Sequence, residues 1–331
     1  MNKSQLILAE IKKANRIVIT AHKSPDGDSI GSSLAFYELC LKLGKQTVIC
    51  HPDPAPKFLQ WLPNIEQVHN LEQHSELVEE KMAQAELIFS LDYNDPSRTG
   101  PMEQLIVNSN ATKIVIDHHL NPSDFADILM SDTTSCSTCQ LVYIFMEEAG
   151  ILNLLDAKIG TPMYLGIMTD SGSFRFNSVL PKTHQIAAHL IEVGVRQDLI
   201  HEQVFDVNTL GRIKLRSYAC AEKLIVLEEY KTAYISMGLE DLERFTYEKG
   251  DTEGLVNVAL SIQGIQIAAF FMETTDGVKI SFRSKGKLHP VNIMSETHFG
   301  GGGHANAAGG FFKGNLNDAL IKFKEVLPSY A

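Results

Sequence analysis

The stretch AHKSPDGDSIGSSLA, residues 21–35, follows directly on the apolar run RIVIT at 16–20. It sets His22, Asp26 and Asp28 within seven residues, with a proline and a glycine between them. A β-branched run that breaks into a polar, glycine-bearing turn and then into a helix-like segment reads as strand, loop, helix. The pattern recurs at QTVICH (46–51), AELIFSLD (85–92) and TKIVIDHH (112–119). These runs are apolar nearly throughout, as expected of parallel strands covered on both faces. Between them lie segments such as SSLAFYELCLKLG (32–44), which closes on Gly44 in the manner of a helix C-cap. The alternation predicts an open α/β sheet with its ligands at the carboxyl ends of the strands.

At 331 residues and 44% apolar composition the chain can fill two cores. A net charge of −11 argues against a protein that coats duplex DNA through a broad basic face. No run approaches the roughly 18 apolar residues of a membrane span, and the amphipathic start MNKSQLILAEIKKANR lacks the apolar core of a signal peptide. Five scattered cysteines suit a reducing cytoplasm. The single CxxC, Cys136 to Cys139, has no second pair to complete a zinc site and reads as two ordinary thiols.

After about residue 190 the texture changes. Residues 192–224 are polar and helical, and KTAYISMG (231–238), IQIAAFFMET (265–274) and GVKISFRSK (277–285) read as antiparallel strands, the last two joined at Asp276-Gly277. The expected division is a catalytic domain at 1–190, a helical linker at 191–215 and a smaller α+β domain at 216–331.

Parallel strands bring their C-terminal ends to one edge. His22, Asp26 and Asp28 follow the first strand, Asp92 the third, Asp117, His118 and His119 the fourth, and DAKIGTPMYLGIMTDSGSFRF (156–176) adds a helix ending at Asp170. One aspartate alone would be a cap. Caps do not explain two histidine-containing clusters at strand ends. Carboxylates with imidazoles suit a borderline divalent cation such as Mn²⁺. The donors are too many for one ion, and two ions sharing a bridging carboxylate would clamp a displacement at phosphorus.

In the second half, Gly300–Gly303 followed by His304 and Asn306 has two readings. It is a flexible turn, or a nest whose backbone amides approach a phosphate. Arg283 and Ser284 in SFRSKG would add a guanidinium fork beside it. Arg175 in GSFRF is a weaker candidate for steadying phosphate, against a plain surface salt bridge.

The run DHH at 117–119, with HKSPDGDSIGS, LDYND and GIMTDSGSFRF, resembles the motifs of the DHH phosphoesterases, and SFRSKG with GGGGHANAAGG resembles the associated DHHA1 domain. Within that family the chain is most similar to the stand-alone nanoRNase/pAp-phosphatase group. The resemblance implies a mainly parallel Rossmann-like sheet in the N-terminal domain and a smaller α+β DHHA1 domain. It implies two divalent ions, with His22 and Asp26 on one, Asp28, His118 and Asp170 on the other, and Asp92 bridging. A hydroxide between the ions would attack phosphorus, Asp117 would orient His118, and His119 would touch substrate or leaving oxygen. Arg283, Ser284, Gly301, Gly302, Gly303, His304 and Asn306 would hold a short single-stranded RNA or a small nucleotide such as 3′-phosphoadenosine 5′-phosphate. A homodimer is compatible with this reading. The rivals are a cyclic di-AMP or pApA phosphodiesterase, a polyphosphatase, a RecJ-like exonuclease and a non-catalytic nucleotide sensor.

Overall fold

The computed structural model describes residues 2–331, the side chain of His304 excepted. The chain divides into two compact units at Val207 and Asn208, inside the span assigned above to a linker. The helix Gln197–Phe205 belongs to the first unit and the helix Leu210–Glu222 to the second.

In the first unit, β1 (Arg16–Thr20), β2 (Gln46–His51), β3 (Val68–Asn70), β4 (Leu87–Leu91), β5 (Thr112–Asp117) and β6 (Ile128–Ser131) form one sheet in the order β3-β2-β1-β4-β5-β6. Every pairing is parallel. The four apolar runs are strands, as expected, and the short edge strands β3 and β6 are additional. Alternate residues serve opposite faces. Ile17 and Ile19 of β1 and Leu87, Phe89 and Leu91 of β4 enter one core, while Val18 and Ile88 enter the other. This is why the strands read as apolar throughout. The strand order reverses between β1 and β4, the switch point where doubly wound sheets open a crevice at their carboxyl ends.

The helices Gly27–Lys42 and Ala157–Asp170 lie against each other on one face. Their approach is set by glycine. A Cβ at Gly31 would meet the carbonyl oxygen of Pro162, and one at Gly166 would run into Cys139 Sγ and stand 2.7 Å from Asp28 Oδ1.

The second unit holds β7 (Leu224–Leu227), β8 (Thr232–Met237), β9 (Ile267–Thr274), β10 (Gly277–Ser284), β11 (Gly302–His304) and β12 (Ala307–Phe312), in the order β11-β12-β10-β9-β8-β7. The antiparallel expectation needs correction at one place, because β8 and β9 run parallel. The chain between them passes through the helices Leu239–Arg244 and Leu255–Ser261, a crossover long enough to return in the same direction. The hairpin β9–β10 forms, with Thr275 and Asp276 at its tip, one residue before the Asp-Gly pair. Phe271, Phe282 and Phe323 centre one core, and Phe270, Leu215 and Leu255 belong to the core on the other face.

Replacing Gly31 by alanine pushes a methyl against backbone that has no rotamer to yield. Gly31→Ala should lower unfolding stability by about 1–3 kcal/mol, read from urea denaturation; wild-type stability would contradict this packing.

Candidate metal centre

The acidic edge is built on backbone. Asp26 caps the helix Gly27–Lys42, its Oδ1 accepting from the amides of Asp28 and Ser29 at 3.0 Å each, while its Oδ2 lies 3.7 Å from His22 Nε2. Asp28 is buried, and its two oxygens accept the amides of Thr138 (2.6 Å) and Cys139 (2.9 Å), at the start of the helix Thr138–Glu148. That end carries the positive pole of the helix, which favours a carboxylate. Asp92 follows β4 in the left-handed region, at φ 64°, with its amide on the Ile116 carbonyl of β5. Its Oδ2 lies 3.2 Å from His22 Nε2, and its Oδ1 faces His118 Nε2 at 3.6 Å and accepts the Thr138 hydroxyl at 3.0 Å. Asp170 ends its helix with Oδ2 3.2 Å from His118 Nε2.

Three donor groups therefore gather with ligand atoms within 4.8 Å: His22 with Asp26 and Asp92; Asp28 with His118 and Asp170; and Asp92 with His118 and His119. The imidazoles are set for a cation. His22 Nδ1 lies 2.8 Å from the Lys23 carbonyl and His118 Nδ1 3.3 Å from that of Ser135. A carbonyl only accepts, so each Nδ1 carries a proton and each Nε2 turns to the carboxylates. Against the cost of burial, hydrogen bonds to Asp26 and Asp92 hold the His22 pKa well above its ordinary value, and a cation would take the place of the Nε2 proton. Among the described residues none of Asp26, Asp28, Asp92 and Asp170 pairs with a lysine or arginine. Burial, and then the charge of Asp92, pushes the Asp28 carboxyl well above its ordinary value; burial and the charges of Asp28 and Asp92 do the same to Asp170. A divalent cation fits this donor set, since it supplies the charge that the carboxylates lack.

Asp117 departs from its expected role. It is fully buried, and it holds His119 rather than His118. Its Oδ2 accepts the His119 amide at 2.9 Å, and its Oδ1 accepts from His119 Nδ1 at 2.7 Å. A two-residue offset lets a carboxylate at a strand end reach forward to the amide two residues on, whereas His118 points the other way, to Ser135. Arg175 is exposed, in a turn whose residues Gly172, Ser173 and Phe174 all have positive φ, and its Nε donates to the Gly172 carbonyl. Among the described residues no hydrogen bond or ion pair joins it to the acidic groups. Cys136 and Cys139 are buried free thiols, both pushed up by burial.

In the second unit, Arg283 ends up beside the β11–β12 hairpin, opposite Ala307 in register. Ser284 Oγ accepts from Asn306 Nδ2 at 2.9 Å, and that amide also reaches the Gly286 carbonyl at 2.6 Å. The second half of the glycine run, Gly302 and Gly303, lies in β11, and Gly300 and Gly301 lead into it. A Cβ at Gly301 would strike the Gly309 carbonyl, and one at Gly303 the Ala307 carbonyl, so both are demanded by the approach of β12. Gly302 is different, with nothing closer than 3.7 Å to such a Cβ. The side chain of His304 lies outside the described residues.

Two family models match this chain: the DHH family, N-terminal domain, over residues 16–167, and the DHHA1 domain over residues 229–328. The bifunctional oligoribonuclease and PAP phosphatase NrnA of Thermus thermophilus is 31% identical over 97% of this chain and 92% of its own length. The chain belongs to the DHH family. The protein of the same name from Bacillus subtilis is 26% identical to this DHH chain over 92% of it and 91% of the relative. The crystal structure of an exopolyphosphatase-related protein from Bacteroides fragilis superposes with a TM-score of 0.97 at 34% identity, over 99% of this chain and 96% of that one.

Several residues that hold the DHH site were not singled out from sequence. Asn94, in LDYND, donates to the carbonyls of His119 and Leu120 at 2.9 and 3.2 Å and so ties the loop after β5 to the loop after β4. Thr138 and Ser135 supply the hydroxyl and carbonyl described above. His51, at the end of β2, is fully buried, with Nε2 3.0 Å from Ser33 Oγ and no partner for Nδ1. Burial, aided by the nearby His22, pushes its pKa from 6.5 down to about 3.

The sign of that shift gives a prediction. Above pH 6.5 His51 is neutral folded or unfolded and contributes nothing; as pH falls from 6.5 towards 3 the unfolded state gains a proton that the native state refuses. His51→Gln removes this penalty. Relative to wild type it should gain about 2 kcal/mol between pH 6.5 and pH 5, at ~1.4 kcal/mol per unit. Parallel curves in denaturant titrations at the two pH values would contradict it.

Proposed function

We propose that this DHH phosphoesterase hydrolyses short oligoribonucleotides and 3′-phosphoadenosine 5′-phosphate, using two divalent ions, Mn²⁺ by preference. The observation that carries the reading is the near full-length likeness to proteins named bifunctional oligoribonuclease and PAP phosphatase, in a chain whose acidic edge gathers His22, Asp26, Asp28, Asp92, His118 and Asp170. Asp92, with one oxygen towards His22 and the other towards His118, is suited to bridge an ion held by His22 and Asp26 and one held by Asp28, His118 and Asp170. When bound, the ions supply Lewis-acid stabilisation of charge on the attacked phosphoryl group and activate water.

The chain's own residues do the rest. Thr138 fixes the orientation of Asp92 through its hydroxyl. Asp117 holds the Nδ1 proton of His119 and orients the ring; in its imidazolium form His119 gives the Nε2 proton to the departing oxygen and returns to the neutral Nδ1–H form. Arg283, Ser284 and Asn306, with the Gly301–Gly303 backbone and His304, bind the phosphate and sugar of the nucleotide. Charge on a transferring phosphoryl group is spread over several oxygens, so positioning and electrostatics carry most of the catalysis. The buried free cysteines suit a cytoplasmic protein, and among the described residues no helix is long and apolar enough to cross a membrane.

The test is turnover with Mn²⁺ on 3′-phosphoadenosine 5′-phosphate, on 5′-phosphorylated RNA of about two to five nucleotides and on cyclic di-AMP. The first two should be preferred, and chelation should abolish activity. Preference for cyclic di-AMP would overturn the substrate assignment and leave the metal chemistry standing. Asp92→Ala should abolish turnover, while Arg283→Ala should chiefly raise KM. Gly302→Ala should keep the wild-type melting temperature and still raise KM; an unchanged KM would remove the glycine run from the substrate site.

A further inference from the structure

The second unit carries three partly buried guanidinium groups, and among the described residues no carboxylate is bound to any of them. Arg212 and Arg216 stand one turn apart on the helix Leu210–Glu222, on the same face. Arg216 Nη1 donates to the backbone carbonyl of Glu253, the residue before Gly254, which caps the helix Leu255–Ser261. That helix packs against both the Leu210–Glu222 helix and β10. Arg283 lies near the end of β10. Its neighbours Ile280 and Phe282 enter the opposite core, so Arg283 lies on the face these two helices cover.

Their hydrogen bonds leave the charges unmatched. Arg283 Nη1 donates to the Phe282 carbonyl, Arg216 to that of Glu253, and Arg212 Nε is buried with no partner. Among the described residues none of the three forms an ion pair. Glu253 is the one carboxylate whose charge acts on both Arg216 and Arg283, and burial lowers the pKa of each. Nor are they part of a general basic surface: the second unit has fourteen basic and fourteen acidic residues, and the net charge of −11 lies wholly in the first. Buried guanidinium groups are costly unless an anion meets them.

We propose that Arg212, Arg216 and Arg283 together bind the dianionic phosphomonoester at the end of a short linear nucleotide. The inference rests on the phosphoesterase reading and adds two residues and a selection rule to it. Three guanidinium groups against one carboxylate leave about two positive charges, which match a terminal phosphate dianion and exceed the single charge of an internal diester. A linear 5′-phosphorylated nucleotide offers such an end, and a cyclic dinucleotide does not.

The experiment compares pApA with its unphosphorylated counterpart ApA on the full chain with Mn²⁺. Wild type should favour pApA, and Arg212→Ala should cut the ratio of the two kcat/KM values about tenfold through KM, the loss expected of one charge-assisted hydrogen bond. Arg212→Lys should restore part of it, and the melting temperatures should agree. An unchanged ratio would overturn the proposal. Binding of 3′-phosphoadenosine 5′-phosphate in chelator, followed by calorimetry, reads the same site without turnover. Affinity about tenfold weaker in Arg212→Ala supports the site, and equal affinities overturn it. If wild type cleaves neither dinucleotide yet binds through Arg212, the phosphoesterase reading fails and the anion site stands.

Discussion

Mutual repulsion among Asp26, Asp28, Asp92 and Asp170 is the constraint on which the first unit depends. Two carboxylates about 4 Å apart repel by roughly 4 kcal/mol at an effective dielectric near 20, and here Asp28 and Asp92 are buried and Asp170 partly so, with Asp26 at the exposed rim. Such an arrangement persists only if each carboxylate is held by something other than its neighbours. Helix-start amides hold Asp26 and Asp28, and the Thr138 hydroxyl holds Asp92, whose left-handed backbone is fixed by its own amide donating to the Ile116 carbonyl. The imidazoles are fixed in the same way, each by a carbonyl on Nδ1 or, for His119, by the buried Asp117. Little side-chain entropy remains to be lost when a cation arrives, which is the physical meaning of a preorganised site.

The fold supplies this arrangement through two features. A parallel sheet delivers every strand end to one edge, and the reversal of strand order between β1 and β4 opens that edge where His22 and Asp92 stand. Close helix packing through Gly31 and Gly166 then brings the start of the Gly27–Lys42 helix and the end of the Ala157–Asp170 helix onto it. The second unit works by a different economy. It is electrically balanced, its glycine run is largely a sheet contact, and among the described residues Arg212, Arg216 and Arg283 are partly buried without an ion pair.

The gathering of His22, Asp28, Asp92, His118 and Asp170 at one edge was legible in the sequence because strand period and strand end follow from local pattern, and parallel strands need no further information to converge. The parallel sheet was legible for the same reason. What pattern could not give was direction. Asp117 reaching forward to His119 instead of His118 is a matter of side-chain rotamer, and the parallel pairing of β8 with β9 depends on a crossover whose return path no local signal states. Gly301 and Gly303 look like loop residues until β12 is seen to lie against them. Nothing in the sequence singles out Arg212, Arg216 or His51, because burial and missing partners are properties of the packed chain.

The account stands most directly on the number of cations the acidic edge holds. Manganese bound per chain at equilibrium, measured by dialysis and elemental analysis, should approach two for wild type and fall to one in His22→Ala, where Asp28, His118 and Asp170 remain intact. One ion in wild type, or two in His22→Ala, would contradict the assignment of two separate donor groups joined by Asp92.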